Sequence, residues 1–251
     1  MKQNIIIIMA GGLGKRMKSD LPKVLHKING KPLLLNVIQE SMLLDPLKIL
    51  IVVGYYRNVI EQTLSQYISI DNIEFIMQHE ALGTGHAIQC CRAELLKYTD
   101  TNVIILSGDT PLLKSSTIKE ILFDFHKVKI VTTIMKNPYG YGRIIETNGM
   151  FDKIVEEKDC TVEEQIVKRV NCGIYAFDTQ ILCKYLPLLT NKNAQGEYYL
   201  TDVVEIIKMN EDIHIDLYDI CDDKQIEVMG VNTIEQLHAL EEKLNNTLSN
   251  L

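Results

Sequence analysis

Residues 5–17 have the sequence IIIIMAGGLGKRM, an apolar run that passes directly into a glycine-rich loop. Uninterrupted isoleucines from Ile5 to Ile8 predict a strand buried on both faces, as in a parallel sheet. Glycines that follow a strand directly allow positive φ angles and let backbone N–H groups approach phosphate oxygens closely. The stretch therefore predicts a loop that holds the phosphates of a nucleoside triphosphate.

The charge around this loop opposes the charge of the whole chain, which is -7 at pH 7. Only Asp20 is acidic between residues 15 and 31, whereas the basic residues there are Lys15, Arg16, Lys18, Lys23, Lys27 and Lys31. A local excess of positive charge on an acidic protein indicates a small polyanionic ligand at this place.

The two best-known phosphate motifs do not fit. A Walker loop needs glycine where Met9 stands and Ser or Thr where Arg16 stands, and a dinucleotide fingerprint starting at Gly12 needs glycine where Met17 stands. Taken alone, the loop could equally be a plain glycine-rich strand-to-helix turn. The sequel 21–26, Leu-Pro-Lys-Val-Leu-His, favours the phosphate interpretation.

Length and composition limit the number of domains, the location and the partners that can be expected. A chain of 251 residues with 46% hydrophobic residues can bury one substantial core, and no composition break marks a second domain. The six cysteines lack metal-binding spacing, and no long apolar stretch or leader pattern occurs, so we expect a cytoplasmic protein with reduced thiols and no membrane partner. An isoelectric point near 5.4 argues against nucleic-acid binding.

Apolar runs alternate with amphipathic stretches along the first half of the chain, which predicts βαβ units. We expect an α/β fold with a doubly wound, mostly parallel sheet, whose ligand crevice lies at the carboxyl ends of the strands. The predicted strands are 5–9, 49–53, 73–77, 103–106 and 130–135, and the predicted helices are 33–44, 59–66, 84–96 and 116–125. After about Lys136, shorter strands with turn signals such as Asn148-Gly149 predict a β-rich insertion.

The last residues, 233–251, predict an amphipathic helix. Its apolar positions are Ile234, Leu237, Leu244, Leu248 and Leu251. We assign residues 1–232 to one domain and this helix to the same domain. Two alternatives stay open for the apolar face: it packs on its own domain, or it forms a homodimer contact.

An ordered set of motifs resembles the sugar-1-phosphate nucleotidyltransferases (pyrophosphorylases), and within them the uridyltransferase domain of bacterial N-acetylglucosamine-1-phosphate uridyltransferases. The family usually has Thr where Lys15 stands. The motifs are residues 10–17, 19–26, Gln78 with 82–87, 107–112, 141–144, 154–159, 171–174, 193–202 and 230–232. No hexapeptide repeat of the bifunctional relatives occurs in this sequence, so we expect no acetyltransferase activity.

The resemblance implies a Rossmann-like nucleotidyltransferase fold with a β-rich insertion on the sugar side and a C-terminal helix. It implies catalytic roles for Arg16, Lys23 and Asp109, and a Mg²⁺ ion held by Asp109 and Asn232. Oxygen ligands are what magnesium prefers. Without the resemblance, Asp109 could be a turn residue before Pro111, and Asn232 could be the N-cap of the last helix.

The resemblance also assigns two groups of substrate contacts. Their residue types suit the task, because amides can read a pyrimidine edge and carboxylates accept sugar hydroxyl hydrogens. Taken singly, each could be a turn, a helix cap or an exposed polar residue. The nucleotide group is Ala10, Gly11, Gly12, Gly14, Lys15, Gln78, Gly83, Thr84 and Gly108, and the sugar group is Gly142, Glu156, Asn171, Tyr198 and Thr201.

These expectations converge on magnesium-dependent transfer of UMP from UTP to N-acetylglucosamine 1-phosphate, giving UDP-N-acetylglucosamine and pyrophosphate. Two alternatives remain. A glucose-1-phosphate uridylyl- or thymidylyltransferase would share the glycine loop and the metal Asp. A non-catalytic nucleotide-sugar sensor would share the binding residues, but it would not need Arg16, Lys23, Asp109 and Asn232 together.

Overall fold

The computed structural model of the protein describes residues 2–249, without the side chains of Lys15 and residues 245–249. Strands and helices alternate through the first half of the chain, and short 3-10 segments lie at 15–17, 23–25, 186–188 and 222–228. The strands are β1 (Gln3–Met9), β2 (Lys27–Ile28), β3 (Lys31–Pro32), β4 (Lys48–Val53), β5 (Ile73–Met77), β6 (Thr101–Ser107), β7 (Val128–Ile134), β8 (Arg143–Thr147), β9 (Met150–Val155), β10 (Arg169–Asp178) and β11 (Asp216–Asp219). The helices are α1 (Leu33–Met42), α2 (Arg57–Leu64), α3 (Thr84–Leu95), α4 (Ser115–Leu122), α5 (Val162–Gln165), α6 (Thr179–Tyr185), α7 (Leu200–Asn210) and α8 (Ile234–Ser249).

The main sheet has the strand order β11-β7-β10-β6-β1-β4-β5. Neighbours β1, β4, β5 and β6 pair in parallel, as do β7 and β11, whereas β10 runs antiparallel to both of its neighbours. The chain winds outward from β1 to β5 and then returns through α3 to β6 on the other side of β1. This reversal opens a crevice at the carboxyl ends of β1 and β6, where ligands bind in such sheets. The prediction of a doubly wound, mostly parallel α/β sheet is confirmed.

Alternate residues of β1 supply the two cores of the molecule, because side chains alternate across a strand. Ile5 and Ile7 pack with α3, α6 and α7 on one face of the sheet, whereas Ile6 and Ile8 pack with α1, α2 and α4 on the other. All four are fully buried, and each contributes about 1.5–3 kcal/mol by leaving water. The isoleucine run therefore anchors the strand that presents the glycine loop.

The β-rich insertion is a hairpin of β8 and β9 that attaches to β10. Asn148 and Gly149, at the turn between its strands, both have positive φ, as the tight hairpin turns with this dipeptide require. Arg143 begins β8 and is almost fully buried, and its Nη2 donates to Glu157 at 2.7 Å. Glu157 also accepts the amide hydrogen of Gly140, so this pair holds the loop before β8 in place.

Helix α8 lies against its own chain. Leu237 and Leu240 are buried in a small cluster with Met17 of the glycine loop and Leu112 after β6. The carboxylate of Glu241 accepts the amide hydrogen of Asn29 at 3.2 Å. The predicted apolar positions Leu248 and Leu251 lie outside the described side chains. For the described part, the intramolecular packing expected as one alternative is what the structure has.

The cysteines and the apolar character of the helices bear on where the protein is expected to reside. The six cysteines are present as free thiols. Among the described residues, no helix combines the length and the apolar character needed to cross a lipid bilayer.

Truncating Leu240 tests the packing of α8. Leu240→Ala leaves a cavity among buried apolar side chains, so we expect the free energy of unfolding to fall by about 2–5 kcal/mol. Leu43→Ala is the matched control, because Leu43 is 64% exposed, and its effect should stay within about 0.5 kcal/mol. Urea denaturation of the two variants measures both values. Equal stability of the two variants would show that α8 does not pack as described.

Candidate active site

Two adjoining cavities open at the carboxyl ends of β1 and β6. One has a volume of about 340 Å³ and borders the glycine loop, and the other has about 240 Å³ and borders the β8–β10 segment. Four residues line both cavities: Met9, Thr84, Ser107 and Asp109. Ligands in the two cavities would therefore meet at Asp109.

A cluster of charged and polar side chains lies at this meeting point. The ammonium group of Lys23 donates a hydrogen bond to Oδ2 of Asp109 and another, at 3.0 Å, to Oδ1 of Asn232. Arg16 Nη2 donates to the same Asn232 oxygen at 2.9 Å. Lys23 and Asp109 keep only 16% and 12% of their side chains exposed. These residues come from three segments that are far apart in the sequence, and the fold brings them into one hydrogen-bonded cluster.

Glycines at two positions make this contact sterically feasible. Gly14 has φ +61°, and a Cβ there would lie 2.7 Å from Cβ of Lys23. Gly108 donates its amide hydrogen to the Met9 carbonyl at 3.0 Å, which ties the turn before Asp109 to the end of β1. A larger residue at Gly14 would displace Lys23, and a Cβ at Gly108 would crowd Leu34 at 3.1 Å and the Met9 carbonyl at 3.2 Å.

Asn232 is not the cap of α8. The Thr233 hydroxyl accepts the amide hydrogen of Gln236 at 3.2 Å and so caps the helix. The Gln236 side chain in turn accepts the Asn232 amide hydrogen at 2.7 Å. Because the cap is filled by Thr233, the Asn232 side chain is available to Lys23 and Arg16. The cap alternative for Asn232 is therefore wrong.

The larger cavity brings together most of the residues assigned to the nucleotide. Gln78 is buried at the end of β5, where Nε2 donates to the Gly83 carbonyl at 3.1 Å and lies 3.2 Å from Nδ1 of His86. A Cβ on Gly11 would lie 3.1 Å from Oε1 of Gln78, so a side chain there would crowd this amide. The predicted residues that line the cavity are Ala10, Gly11, Gly12, Lys23, Gln78, Gly83, Thr84 and Asp109.

The turn that leads into α3 is held by the segment before α7. Gly83 has φ +108°, and a Cβ there would lie 2.5 Å from the Tyr198 carbonyl. That carbonyl accepts the amide hydrogen of Gly85 at 2.7 Å. The Thr84 hydroxyl accepts the amide hydrogen of Leu200 at 3.0 Å and so caps α7, not its own helix. Thr84 therefore is a helix cap, as one alternative had it, but it caps α7 and not the helix α3 that it begins.

The smaller cavity brings together four of the residues assigned to the sugar: Gly142, Glu156, Asn171 and Thr201. The Gly142 carbonyl accepts the amide hydrogen of Asn171 at 2.9 Å, and the Thr201 hydroxyl donates to Oε1 of Glu156 at 3.1 Å. A Cβ on Gly142 would lie 3.0 Å from Ile154 and 3.5 Å from the Glu156 carboxyl carbon. These contacts form one connected polar wall.

Glu156 contributes a carboxyl group to this wall. Burial raises the pKa of Glu156, and the hydrogen bond from Thr201 opposes that rise. Asp202 lies outside this cavity, in a surface pocket that Glu156 also lines, and burial, reinforced by Glu205 and Glu156, raises its pKa to about 6. The Glu156 carboxyl and the Asn171 amide both offer acceptor oxygens to the sugar cavity, which suits a ligand that presents several hydroxyl groups.

The remaining predicted residues lie beside the cavities. Gly14, Arg16 and Gly108 support or extend the Lys23–Asp109–Asn232 contact. Tyr198 acts through its backbone, and its ring lies 6.3 Å from that of His86. The side chain of Lys15 lies outside the described part of the structure.

The cavity-lining residues that were not predicted as site residues include Ser107, Tyr141, Tyr175 and Glu197. Ser107, Tyr141 and Glu197 fall inside the quoted motifs, which was the available signal. The Ser107 hydroxyl donates to Oδ1 of Asp109 at 2.8 Å. Tyr175 lies outside the motifs, and it carried no sequence signal.

The nucleotidyl transferase family model matches residues 5–221. A protein of Acanthamoeba polyphaga mimivirus named "Probable UDP-N-acetylglucosamine pyrophosphorylase" is 43% identical over 241 residues, which cover 94% of each chain. Bifunctional protein GlmU of Clostridium beijerinckii is 42% identical over 251 residues, which cover 97% of this chain and 52% of that protein. The chain thus spans about half the length of this bifunctional relative.

A solved structure of UDP-glucose pyrophosphorylase complexed with UDP-glucose superposes with a TM-score of 0.74 at 16% identity, covering 98% of this chain and all of that one. At this identity the likeness concerns the fold. The extent of the family match and the 43% identity to a relative of equal length decide the family. This chain belongs to the nucleotidyl transferase family.

Proposed function

We propose that this protein transfers UMP from UTP to N-acetylglucosamine 1-phosphate, forming UDP-N-acetylglucosamine and pyrophosphate. The observation that carries the proposal is the pair of cavities that meet at the Lys23–Asp109 contact. One cavity offers groups for a base and phosphates, and the other offers groups for a sugar. The names of the relatives from the mimivirus and from Clostridium beijerinckii support the same substrates.

The reaction needs no general base. The attacking oxygen belongs to the phosphate of the sugar 1-phosphate, which is already anionic at neutral pH, and pyrophosphate leaves from the α-phosphorus. The protein must hold two anions in line and stabilise the charge that shifts to the leaving group. Adjoining cavities suit this requirement, because the Lys23 ammonium group lies on the wall of the larger one and contacts Asp109, which lines both.

The groups at the nucleotide end can read a pyrimidine. The two hydrogens of Gln78 Nε2 face the Gly83 carbonyl and Nδ1 of His86, which leaves the Oε1 lone pairs to accept a hydrogen from a base edge. The positive φ of Gly83 and the absence of a side chain at Gly11 let the base approach the backbone closely. We assign Ala10, Gly11, Gly12, Gly14, Lys15 and Gly108 to the phosphates and the turn that holds them.

The cations act on the phosphates. Lys23 reaches the point where the cavities meet, and Arg16 is held beside it by Asn232. Positive charge fixed here before substrate arrives costs no reorganisation when charge develops during the reaction. We therefore assign transition-state stabilisation to Lys23 and Arg16.

The groups at the sugar end suit an amino sugar. Glu156 accepts hydrogens from hydroxyl or amide groups, and Asn171 both donates and accepts. Thr201 orients Glu156 through its hydrogen bond, and Gly142 allows the sugar to approach the backbone. Tyr198 contributes by shaping the turn at Gly83.

The oxygen atoms around Lys23 fit a magnesium ion. Asp109 Oδ2 and Asn232 Oδ1 already converge on one cation, the Lys23 ammonium group. Within the described residues no cluster of three or more His, Cys, Asp or Glu forms a metal cage, and magnesium needs only one or two protein ligands because substrate oxygens and water complete its shell. Divalent metals are typical of the family. Asp109 and Asn232 would hold the ion, which would offset the negative charge of the phosphates.

The proposal also covers the location, the partners and the domain organisation of the protein. We place the protein in the cytoplasm, with small-molecule partners and without nucleic-acid or membrane partners. We keep residues 1–232 and the helix 233–251 in one domain, in line with the burial of Leu237 and Leu240 against Met17. A homodimer would use surfaces other than these two leucines.

A substrate panel tests the proposed function. Four nucleoside triphosphates combined with N-acetylglucosamine 1-phosphate and glucose 1-phosphate should show the highest kcat/KM for UTP with N-acetylglucosamine 1-phosphate. Wrong partners leave polar groups of the two cavities unpaired, which costs about 1–3 kcal/mol, or roughly 5- to 150-fold. Pyrophosphate release measures the rates. A higher kcat/KM for glucose 1-phosphate or for dTTP would favour the glucose-1-phosphate enzyme, and absence of turnover with every pair would favour a sensor.

Substitution of the oxygen ligands tests the metal assignment. Asp109→Ala removes the only carboxylate of the proposed pair, so we expect turnover to fall by roughly a thousandfold or more. Asn232→Ala should cost less, because water can replace a neutral amide ligand. Magnesium titrations at fixed UTP measure both effects, and Asp71→Ala, at an exposed acid on the opposite end of the sheet, is the control. Full activity in EDTA, or wild-type turnover by Asp109→Ala, would overturn the assignment.

A further inference from the structure

A break in the register of β10 places two polar side chains side by side in the sugar cavity. Asn171 pairs with Thr132 of β7, and Tyr175 pairs with Ile130. Four residues of β10 thus lie opposite only two residues of β7. A regular strand would separate Asn171 and Tyr175 by about 13 Å, whereas two residues of the partner strand span only about 6.6 Å. The bulge therefore makes them neighbours on one face of the sheet.

The hydrogen bonds of Asn171 define the orientation of its amide. Oδ1 accepts the amide hydrogen of Gly173 at 3.1 Å, and Nδ2 donates to the Tyr175 hydroxyl at 2.6 Å. The flipped amide would direct an NH₂ group at a backbone N–H, so the orientation is determined by the donor at Gly173. One N–H and one lone pair of Asn171 remain for a ligand.

The Tyr175 hydroxyl has a proton to donate. Its ring is buried and stacks on Phe177, with centroids 6.0 Å apart. Burial, with the nearby Glu156 carboxylate as a second cause, raises the pKa of the phenol strongly, so the hydroxyl stays protonated. The oxygen accepts from Asn171, and the described part of the chain offers its proton no hydrogen-bond acceptor. Tyr175 nevertheless lines the sugar cavity.

We propose that Tyr175 is a sugar-binding residue: it holds the Asn171 amide in position and donates its own hydroxyl hydrogen to an acceptor oxygen of the bound sugar 1-phosphate. A buried donor without an acceptor is costly, and a sugar oxygen in this cavity removes the cost. The wall is otherwise rich in acceptors, with Glu156 facing the same cavity. Tyr175 and Asn171 supply the donors that a hydroxyl-rich ligand also needs. This inference rests on the proposed function.

Tyr175→Phe tests the inference, because it removes one oxygen and keeps the ring and its stacking on Phe177. We expect KM for N-acetylglucosamine 1-phosphate to rise about tenfold, corresponding to one hydrogen bond of about 1.4 kcal/mol, while KM for UTP stays within about twofold. Tyr185→Phe is the matched control. Tyr185 is equally buried in the same core, and its hydroxyl donates to Glu211 at 2.6 Å, remote from the cavity residues. A structural effect of losing a buried hydroxyl would appear in both variants.

A double-mutant cycle with Asn171→Ala separates the two parts of the proposal. If Tyr175 positions Asn171, Tyr175→Phe raises the sugar KM less in the Asn171→Ala background than in the wild type. If Tyr175 also donates to the sugar, at least a threefold effect remains in that background. Strict additivity would refute the positioning role, and complete loss of the Tyr175→Phe effect would refute the direct contact.

Failure of this inference is distinguishable from failure of the proposed function. Wild-type turnover of UTP with N-acetylglucosamine 1-phosphate, together with an unchanged sugar KM in Tyr175→Phe, would overturn the role of Tyr175 alone. If the wild type instead prefers another sugar 1-phosphate, the proposed substrate is wrong, and the same variants are measured with that sugar. A selective rise of its KM would still support Tyr175, and equal KM values in Tyr175→Phe and the wild type would refute it.

Discussion

The contact of Lys23 with Asp109 and Asn232 is the interaction on which the site depends. It joins the segment after the glycine loop, the turn after β6 and the residue before α8. The same three segments also pack together through the apolar cluster of Met17, Leu112 and Val231. Because the ion pair is mostly buried, loss of either partner would leave an uncompensated charge, which costs several kcal/mol. The pair thus divides the crevice into its two cavities and keeps them next to each other.

Backbone geometry supports this contact from both sides. Gly14 must be glycine for the chain to pass Lys23, and the Gly108 amide is tied to Met9 at the end of β1. The Asp109 carbonyl accepts the amide hydrogen of Val231 at 2.9 Å, which brings Asn232 into reach. The apolar burial of β1 therefore has a functional consequence, because it fixes the end of the strand to which the turn before Asp109 is hydrogen-bonded.

Sequence patterns predicted the parts of the structure that have a simple period or a strong local signal. The isoleucine run of β1, the alternation of strands and helices, the glycine loop and the Asn148-Gly149 turn all belong to this class. The rest depended on contacts between distant segments. The bulge that brings Tyr175 to Asn171 changes the register of β10 against β7. This change depends on the pairing of the two strands, so the residue pattern of β10 alone does not reveal it. Thr84 caps α7 across more than a hundred residues, and Thr233 takes the cap position that Asn232 could have filled.

A crystal structure with bound UDP-N-acetylglucosamine tests the central claim most directly, because this product would span both cavities. We expect the uracil within hydrogen-bonding distance of Gln78, the diphosphate beside Lys23 and Asp109, and the sugar against Glu156 and Asn171. A sugar bound outside the Glu156 cavity, or a diphosphate remote from Lys23, would contradict the proposed arrangement of the site.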